Sequence, residues 1–280
     1  MATRIDIGID GGGSGCRVAI SVDGGEITET RGGAANVVTD PAAAEAAIRE
    51  ALLTALKTHG LRLEHMTRAR VCAGLAGARL PGVADAFATR LPFLAYVVDD
   101  SVTALEGALE GAEGTLASLG TGSFFIRKSR EGTRHVGGWG FQLGDEGSAA
   151  WLGRRALSLS LRVADGRLPP DPLAEALTRA APPHPVLFAR DASPGDFAQL
   201  ARLVPEHAET PLARRLIGEV IEALFDGLRD VGHEQGEPLV LVGGLGELLR
   251  SHLPAALRSD LRPAAGRPLD GALALARGLP

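Results

Sequence analysis

A glycine-rich segment near the amino terminus, Asp10–Gly15, lies between two stretches in which apolar side chains occupy every second position. The stretches are residues 5–9 before the glycines and residues 16–20 after them, and this alternation is the period of a β-strand. The chain is therefore predicted to form a β-hairpin here, with the glycines at its tip. Neither the G-x-G-x-x-G nor the G-x-x-x-x-G-K-[ST] spacing fits the segment, so a Rossmann fingerprint and a P-loop are excluded.

The residues at the hairpin tip favour an anionic ligand together with a metal. Glycines at positions 11–13 allow backbone N–H groups to turn toward one point and allow a ligand to approach the main chain. Ser14 adds a hydroxyl donor, and the carboxylate of Asp10 is an oxygen ligand of the kind that Mg²⁺ prefers. The segment thus predicts a phosphate and magnesium site. An ordinary glycine-rich turn has the same composition and is the alternative.

The strand–loop–strand pattern returns in the middle of the chain. Thr115–Leu119 and Phe124–Ile126 have strand character and flank the loop Gly120–Ser123. The Gly-Ser pair in this loop repeats the pair Gly13-Ser14, which suggests an internal duplication. Chance similarity between two glycine-rich hairpins is the alternative.

The rest of the chain alternates between short strands and amphipathic helices. After the first hairpin, strands are predicted at 26–31, 71–73, 96–98 and 239–242 and helices at 41–60, 81–90, 101–109, 148–164, 210–232 and 269–276. A glycine turn, Gly243-Gly244, follows the last strand, and residues 169–195 are rich in proline. Strands that precede helices predict the α/β class with two domains and a ligand in the cleft between them. The expected domains are residues 1–106, joined by a C-terminal helix at 267–280, and residues 107–266.

Composition limits the possible functions. The chain has 280 residues, a net charge of −5 and no basic stripe, which argues against a nucleic-acid partner. Its two cysteines lie in strand-like runs without a C-x-x-C pattern, so neither an iron–sulfur site nor a disulfide framework is indicated. The seven histidines have no metal-ligand spacing. No uncharged run is long enough to span a bilayer, and a soluble cytoplasmic protein without a membrane partner is expected.

Several segments, taken together and in order, resemble one family of kinases. The matching segments are IGIDGGGSGCR, GAAN, VVDDSVTAL, LASLGTGS, GGWGFQLGDEGSAAWLG, LVGGLGE and LDGALALARG, which run from Ile5 to Arg277. They are similar to the N-acetylglucosamine kinase and glucosamine kinase branch of the BadF/BadG/BcrA/BcrD ATPase group. This group lies within the superfamily of actin, sugar kinases and heat-shock chaperones. The resemblance is weakest at residues 165–210.

The resemblance implies both a fold and a reaction. The fold would consist of two ribonuclease H-like (actin-like ATPase) domains with an inter-domain cleft. The reaction would be ATP-dependent phosphorylation of the 6-hydroxyl of an amino sugar, with Mg²⁺ as cofactor, by a homodimer. The GGWG motif is more similar to N-acetylglucosamine kinases. The opening motif, the chain length and the closing helix are more similar to bacterial glucosamine kinases, so the choice between the two sugars stays open.

The resemblance also implies which residues hold each ligand. ATP would be bound by Gly11, Gly12, Gly13, Ser14, Gly120, Thr121, Gly122, Gly243 and Gly244, with the metal near Asp10 through water. The sugar would be bound by Asn36, Asp100, Ser123, Gly138, Trp139 and Asp145. Some of these residues have an ordinary structural alternative: Asn36 suits a turn, Asp100 and Asp145 can cap helices, and Trp139 can be a buried core residue.

Asp100 is the expected catalytic residue. A sugar hydroxyl that attacks the γ-phosphate of ATP needs an acceptor for its proton, and the family has an aspartate in this role at the end of a strand. Asp99 is adjacent and is the alternative. The family's order of an acidic residue before a small one favours the pair Asp100-Ser101.

Two other functions are compatible with this group. One is an ATPase that activates a radical dehydratase and holds an iron–sulfur cluster through cysteines at a dimer interface. The position of Cys16 and Cys72 in predicted core strands argues against it. The other is a non-catalytic sugar sensor, as in repressors with a kinase-like fold. Because the first phosphate loop starts at residue 10, no amino-terminal DNA-binding extension is expected.

Overall fold

The computed structural model describes residues 3–280 and divides into two compact units. The first unit comprises the chain up to Ala112 together with Ala264–Pro280, and the second comprises Glu113–Pro263. Each unit is built on a five-stranded mixed sheet covered by helices. The predicted α/β class is confirmed.

The secondary-structure elements are numbered along the chain. The strands are β1 (Ile5–Gly12), β2 (Gly15–Val22), β3 (Thr28–Gly32), β4 (Ala69–Leu75), β5 (Tyr96–Asp99), β6 (Gly114–Leu119), β7 (Ser123–Ser129), β8 (Gly132–Gly137), β9 (Leu239–Val242) and β10 (Leu261–Arg262). The helices are α1 (Pro41–Thr58), α2 (Val83–Ala88), α3 (Asp100–Leu109), α4 (Ala149–Ala164), α5 (Pro172–Ala180), α6 (Pro185–Asp191), α7 (Pro194–Leu200), α8 (Leu203–Glu206), α9 (Pro211–Val231), α10 (Gly244–Leu249), α11 (Ala255–Asp260) and α12 (Pro268–Gly278). Along residues 3–280, no helix is both long and apolar enough to cross a membrane.

The first sheet has the strand order β3-β2-β1-β4-β5. β1, β2 and β3 are antiparallel neighbours, whereas β4 and β5 run parallel to β1. The isoleucines of β1 share a buried cluster with Ile48 and Leu52 of α1. On the opposite face a Cβ at Gly8 would lie 2.5 Å from the backbone nitrogen of Leu273, so only glycine lets α12 approach this strand. β1 is therefore buried on both faces.

The second sheet repeats the topology of the first. Its order is β8-β7-β6-β9-β10, in which β6 pairs antiparallel with the hairpin strand β7 and parallel with β9. β8 and β10 then extend the sheet at its two edges, antiparallel to β7 and parallel to β9. The same order and directions in both units support the internal duplication suggested by the two glycine loops.

Several predicted helix ends are confirmed by their caps. Asp40 accepts a hydrogen bond from the backbone of Ala43 at the start of α1, and Ser148 caps α4. Thr210 caps α9, which ends at Gly232 with a left-handed φ of 82°. These signals are local side-chain-to-backbone hydrogen bonds, and the sequence shows them directly.

Helix α3 is held close to its neighbours by glycines. A Cβ at Gly74 of β4 would lie 2.1 Å from the Thr103 side chain, and a Cβ at Gly271 of α12 would lie 2.1 Å from the Thr103 carbonyl oxygen. A Cβ at Gly107 of α3 would lie 2.1 Å from the carbonyl oxygen of Arg267. Close packing on two sides fixes the position of the first residue of α3, which is Asp100.

Candidate active site

The tip of the first hairpin is narrower than predicted. Strand pairing continues to Gly12 and Gly15, which lie opposite each other, so the turn consists of Gly13 and Ser14. The carbonyl of Gly12 accepts a hydrogen bond from the N–H of Ala35 at 2.8 Å. Because the peptide group is planar and trans, the N–H of Gly13 points in the opposite direction.

The glycines at this tip have two different environments. A Cβ on Gly11 would lie 2.7 Å from the Leu75 side chain and 3.0 Å from the Cβ of Ala35, so packing excludes a side chain. At Gly12 and Gly13, by contrast, no described atom beyond the adjoining residues lies within 4 Å of the position that a Cβ would take. Open space beside backbone N–H groups is what a bound phosphate requires. The tip therefore has room for a ligand beside Gly12 and Gly13.

Three carboxylates lie near one another at one end of the first sheet. Asp10 in β1 is in register with Gly74 in β4, and Gly74 is in register with Val98 in β5. Asp10 and Val98 thus lie at the same level of the sheet, two strands apart, and Asp99 and Asp100 directly follow Val98. Burial raises the pKa of Asp10, and its ion pair with Arg17, at 3.3 Å, opposes that increase.

The helix cap at this position is Asp99. Its Oδ1 accepts hydrogen bonds from the backbone N–H and the hydroxyl of Ser101, whereas Asp100 is the first residue of α3. Burial raises the pKa of Asp100 to about 7, and the charges of Asp99 and Asp10 contribute further. Backbone N–H groups at the start of α3 offset part of this increase. Asp100 thus does not cap the helix, and a carboxyl pKa of about 7 lies in the range that suits a general base.

The second glycine loop, Gly120–Gly122, lies against the first turn of α4. The carbonyls of Gly120 and Thr121 accept hydrogen bonds from the N–H groups of Ala149 and Ala150 at 2.8 and 3.2 Å. Peptide planarity then directs the next two N–H groups, those of Thr121 and Gly122, away from the helix. Two adjacent N–H groups with one orientation can bind a phosphate oxygen.

Ser123 does not match Ser14 in position. Ser14 lies in the hairpin turn and is exposed, whereas Ser123 is the first residue of β7 and is buried. The hydroxyl of Ser123 donates to the carbonyl oxygen of Glu146 at 2.8 Å. The two Gly-Ser pairs are therefore not equivalent, because the second loop is one residue longer than the first turn.

Asp145 is buried beside the second glycine loop. A Cβ on Gly122 would lie 2.9 Å from Asp145 Oδ2. Burial raises the pKa of Asp145, and hydrogen bonds from the backbone N–H groups of Ser123 and Gly140 partly offset it. Asp145 has a left-handed φ of 62°, and Ser148 caps α4. Asp145 is thus not the helix cap, and its carboxylate is held in place by the backbone.

Gly138 and Trp139 lie in the loop that joins β8 to Asp145. The N–H of Gly138 donates to the carbonyl oxygen of Ser123 at 2.9 Å, and Gly138 has a φ of 71°. Trp139 is 58% exposed, so it is not a buried core residue. The second unit therefore brings together Gly122, Ser123, Gly138, Trp139 and Asp145.

Asn36 lies in the first unit, in the loop before α1. Its Oδ1 accepts hydrogen bonds from the backbone N–H groups of Val38 and Thr39, both at 3.0 Å. The turn that was the structural alternative for Asn36 is therefore present. The side-chain NH₂ group keeps two donors with which it can bind a hydroxyl.

Gly243 and Gly244 have different structural roles. Gly243 has a left-handed φ of 93°, and a Cβ there would lie 2.4 Å from the backbone of Leu119. Glycine is thus required at position 243, both because the backbone is left-handed and because it lies close to the start of the second glycine loop. At Gly244, the first residue of α10, no described atom lies within 4 Å of a Cβ position.

The residues near Asp10 fit a magnesium ion that a nucleotide helps to coordinate. Among the described residues, no three His, Cys, Asp or Glu side chains are arranged to hold a metal by themselves. Mg²⁺ commonly takes one or two carboxylates, with water and phosphate oxygens as its other ligands. The carboxylate of Asp10, next to the open space at Gly12 and Gly13, matches this requirement.

Both cysteines lie in strands of the first sheet and are buried, as the sequence predicted. Cys16 and Cys72 are both free and are at most 2% exposed. Burial raises the pKa of each thiol, to about 12 for Cys72. A cluster ligand must be a thiolate within reach of the metal, and the chain has no other cysteine.

Two features of the site were missed in the sequence. The first is the ion pair between Arg17 and Asp10, which lie opposite each other in the β1–β2 register. The positions of the two residues on either side of the predicted hairpin turn could have indicated this pair. A cavity of about 370 Å³ in the second unit is lined in part by Gly120 and Thr121 and in part by residues 195–202. The second set lies where the resemblance is weakest, so no motif marked it.

A model of the BadF/BadG/BcrA/BcrD ATPase family matches residues 7–257. A glucosamine kinase, GspK, of Vibrio cholerae is 29% identical over 279 residues, which cover 96% of this chain and 95% of that protein. An N-acetylmuramic acid/N-acetylglucosamine kinase of Clostridium acetobutylicum is 32% identical over 169 residues, covering 58% and 55% of the two chains.

A solved structure assigned as an N-acetylglucosamine kinase of Chromobacterium violaceum has the same fold. It superposes with a TM-score of 0.87 at 32% identity and covers 99% of each chain. The similarity extends through both units, and the ribonuclease H-like, actin-like ATPase fold predicted from the sequence is confirmed.

Proposed function

The chain belongs to the BadF/BadG/BcrA/BcrD ATPase family, and from this premise we propose that it is an ATP-dependent kinase that phosphorylates the 6-hydroxyl of glucosamine or N-acetylglucosamine. Its relatives are kinases of amino sugars. The single observation that carries the proposal is the state of Asp100, a half-buried carboxylate that does not cap its helix and has a pKa of about 7.

In the proposed reaction, Asp100 accepts the proton of the attacking hydroxyl. A carboxylate with a pKa near the working pH is substantially ionised there and still has a high affinity for the proton that it receives. The N–H groups of the glycine tips, Gly12-Gly13 and Thr121-Gly122, bind phosphate oxygens. A magnesium ion at Asp10 would neutralise charge on the phosphates of ATP.

Each unit has side chains that are proposed as sugar contacts. Asp145 would accept hydrogen bonds from sugar hydroxyls, and the NH₂ group of Asn36 would donate to one. Trp139 offers an exposed ring for a sugar face. Ser123 and Gly138 hold the loop that carries Asp145 and Trp139, through the hydrogen bonds described above.

Phosphate transfer to a panel of sugars tests the proposal. Turnover of ATP should be measured with glucosamine, N-acetylglucosamine, N-acetylmannosamine and glucose, with the position of the new phosphate determined by NMR. We expect phosphorylation of one or both glucosamine derivatives at the 6-position. ATP hydrolysis that is independent of every sugar would favour an ATPase activator, and sugar binding without turnover would favour a sensor.

The proposed general base predicts a pH dependence. A base acts in its deprotonated form, so kcat/KM for the sugar should fall about tenfold per pH unit below the pKa of Asp100, which is about 7. N-acetylglucosamine, if it is a substrate, is the better probe because it has no amine that titrates in this range. A flat profile from about pH 5.5 to 8 would show that no group with this pKa takes the proton.

Substitution of Gly12 by valine should weaken ATP binding by about tenfold or more, since the side chain would occupy the space of a phosphate that accepts hydrogen bonds. The fold should be kept, because within the described chain nothing lies near this position. Calorimetric titration with a non-hydrolysable ATP analogue measures the change.

Gly218→Val is the matched control for Gly12→Val. Gly218 lies in α9, and no described atom is within 4 Å of its Cβ position. Unchanged ATP affinity in Gly12→Val would make this hairpin a plain turn. Gly122→Val is less informative, because its side chain would displace Asp145.

A further inference from the structure

The cavity in the second unit has three walls. The first is formed by the second glycine loop, at Gly120 and Thr121. The second follows the third glycine turn and includes Gly244, Leu245 and Leu248. The proposed function assigns ATP to the glycines of these two walls. The third wall is formed by α7 and the turn after it, a segment to which neither the sequence motifs nor the family resemblance gives a role.

The third wall consists of one side of α7 and of the turn that follows it. Four of its residues follow the i, i+3, i+4, i+7 spacing that places side chains on one side of a helical segment: Gly195, Ala198, Gln199 and Arg202. The opposite side is buried in the core of the unit through Phe197, Leu200 and Val204. The segment is therefore amphipathic, and its less apolar face lines the cavity.

The position of α7 is fixed by close packing. A Cβ on Gly153 of α4 would lie 1.8 Å from the carbonyl oxygen of Phe197, so α7 touches α4 backbone to backbone. The ring of Phe197 packs against Phe141 and Phe188, with centroids 5.3 and 5.8 Å away. Ser193 and Asp196 form a capping box at the start of α7. These contacts and the capping box fix where the third wall lies in the unit.

The lining of the cavity suits an aromatic ring. Gly195 and Ala198 add little side-chain volume to the third wall, and Leu245 and Leu248 supply aliphatic carbon on the second. A planar heteroaromatic base can pack against small residues and leucine side chains of this kind.

The polar groups of the third wall suit adenosine. The amide of Gln199 presents a donor and an acceptor side by side. Adenine offers the complementary pair, a donor at N6 next to an acceptor at N7, whereas guanine presents two acceptors at O6 and N7. Arg202 is exposed, and among the side chains that the structure describes no carboxylate forms an ion pair with it. Its guanidinium is thus available to a ribose hydroxyl or a phosphate oxygen.

We propose that this face of α7 is the specificity wall of the nucleotide site, with Gln199 selecting adenine over guanine and Arg202 binding the ribose–phosphate portion. The proposal rests on the proposed function in one respect: it takes the ligand of the glycine loops to be a nucleotide. It goes further in stating which base is selected and by which residues.

Nucleotide binding measured without sugar tests this wall. Non-hydrolysable analogues of ATP and GTP should be titrated into the wild type and into Gln199→Ala, Arg202→Ala and Ala198→Leu, with Gln235→Ala, an exposed glutamine in a turn, as the control. We expect the wild type to prefer the ATP analogue. Gln199→Ala should weaken ATP by about 5- to 100-fold and bring the ATP-to-GTP ratio close to one. Arg202→Ala should weaken both nucleotides equally.

Ala198→Leu should prevent binding of both nucleotides by filling the cavity, with circular dichroism to confirm folding. The proposal is overturned if the wild type does not discriminate between the two bases. It is also overturned if Gln199→Ala, a change at an exposed side chain, keeps the wild-type ratio. A wild type that selects ATP but phosphorylates no amino sugar would instead refute the proposed function and leave the specificity wall supported.

Discussion

Replacement of Asp100 by asparagine should reduce sugar phosphorylation by about a hundred- to ten-thousand-fold, the usual cost of removing a positioned general base. Asparagine has nearly the same size but cannot take up a proton at neutral pH. The start of α3 should be unaffected because Asp99 forms the cap. Sugar and ATP affinities should therefore stay close to those of the wild type. Steady-state kinetics together with calorimetric titration of each substrate separate the two effects.

Asp99→Asn is the matched control for Asp100→Asn. Asparagine is as good an N-cap as aspartate, so α3 should form normally and turnover should change only a few-fold. The charge of Asp99 raises the pKa of Asp100, so its removal should shift the midpoint of the pH profile to lower values. If Asp99→Asn loses activity and Asp100→Asn retains it, then Asp99 is the general base and the assignment to Asp100 is wrong. Full activity in both would refute the kinase mechanism.

Asp145→Asn should weaken sugar binding by about ten- to a hundred-fold. A charged acceptor contributes about 1.5–3 kcal/mol through hydrogen bonds to its ligand, and the amide loses that charge. Asparagine tolerates the left-handed backbone of Asp145, so the loop should keep its conformation. Alanine would add backbone strain and confuse the result. ATP binding measured alone should be nearly unchanged.

Glu146→Gln is the control for Asp145→Asn, because it removes the charge of the adjacent, exposed side chain. The carbonyl of residue 146 that accepts from Ser123 remains in this variant. Sugar affinity should then match the wild type. Equal sugar affinity in the wild type and Asp145→Asn would exclude the GDEGS loop from the substrate site, and with it the principal reason for choosing a sugar kinase over another ATPase of this fold.

The sequence predicted best those features that depend on neighbouring residues. The hairpins, the cap of α1 at Asp40 and the left-handed end of α9 at Gly232 follow from alternation, side-chain capping and glycine conformation. Asp99 and Asp100 show why the site was harder to predict. Both lie at the start of the same helix and both are residues that can cap it, and only the backbone geometry determines which of them does.

Contacts between distant segments were the other limit. The burial of β1 on both faces depends on α12, which lies more than 250 residues later in the sequence. The cavity face of α7 consists of small and polar residues, which sequence patterns cannot separate from an ordinary solvent-exposed face. Ser14 and Ser123 looked equivalent because each follows a glycine in a glycine-rich segment. The sequence does not show that the second loop is one residue longer than the first turn.

The return of the chain to its first unit has a consequence for the integrity of that unit. The second unit is continuous in sequence, whereas the first is assembled from two segments, residues 3–112 and 264–280. Without α12 the face of β1 at Gly8 and the glycine side of α3 lose their partner. The position of Asp100 therefore depends on two segments that are far apart in the sequence.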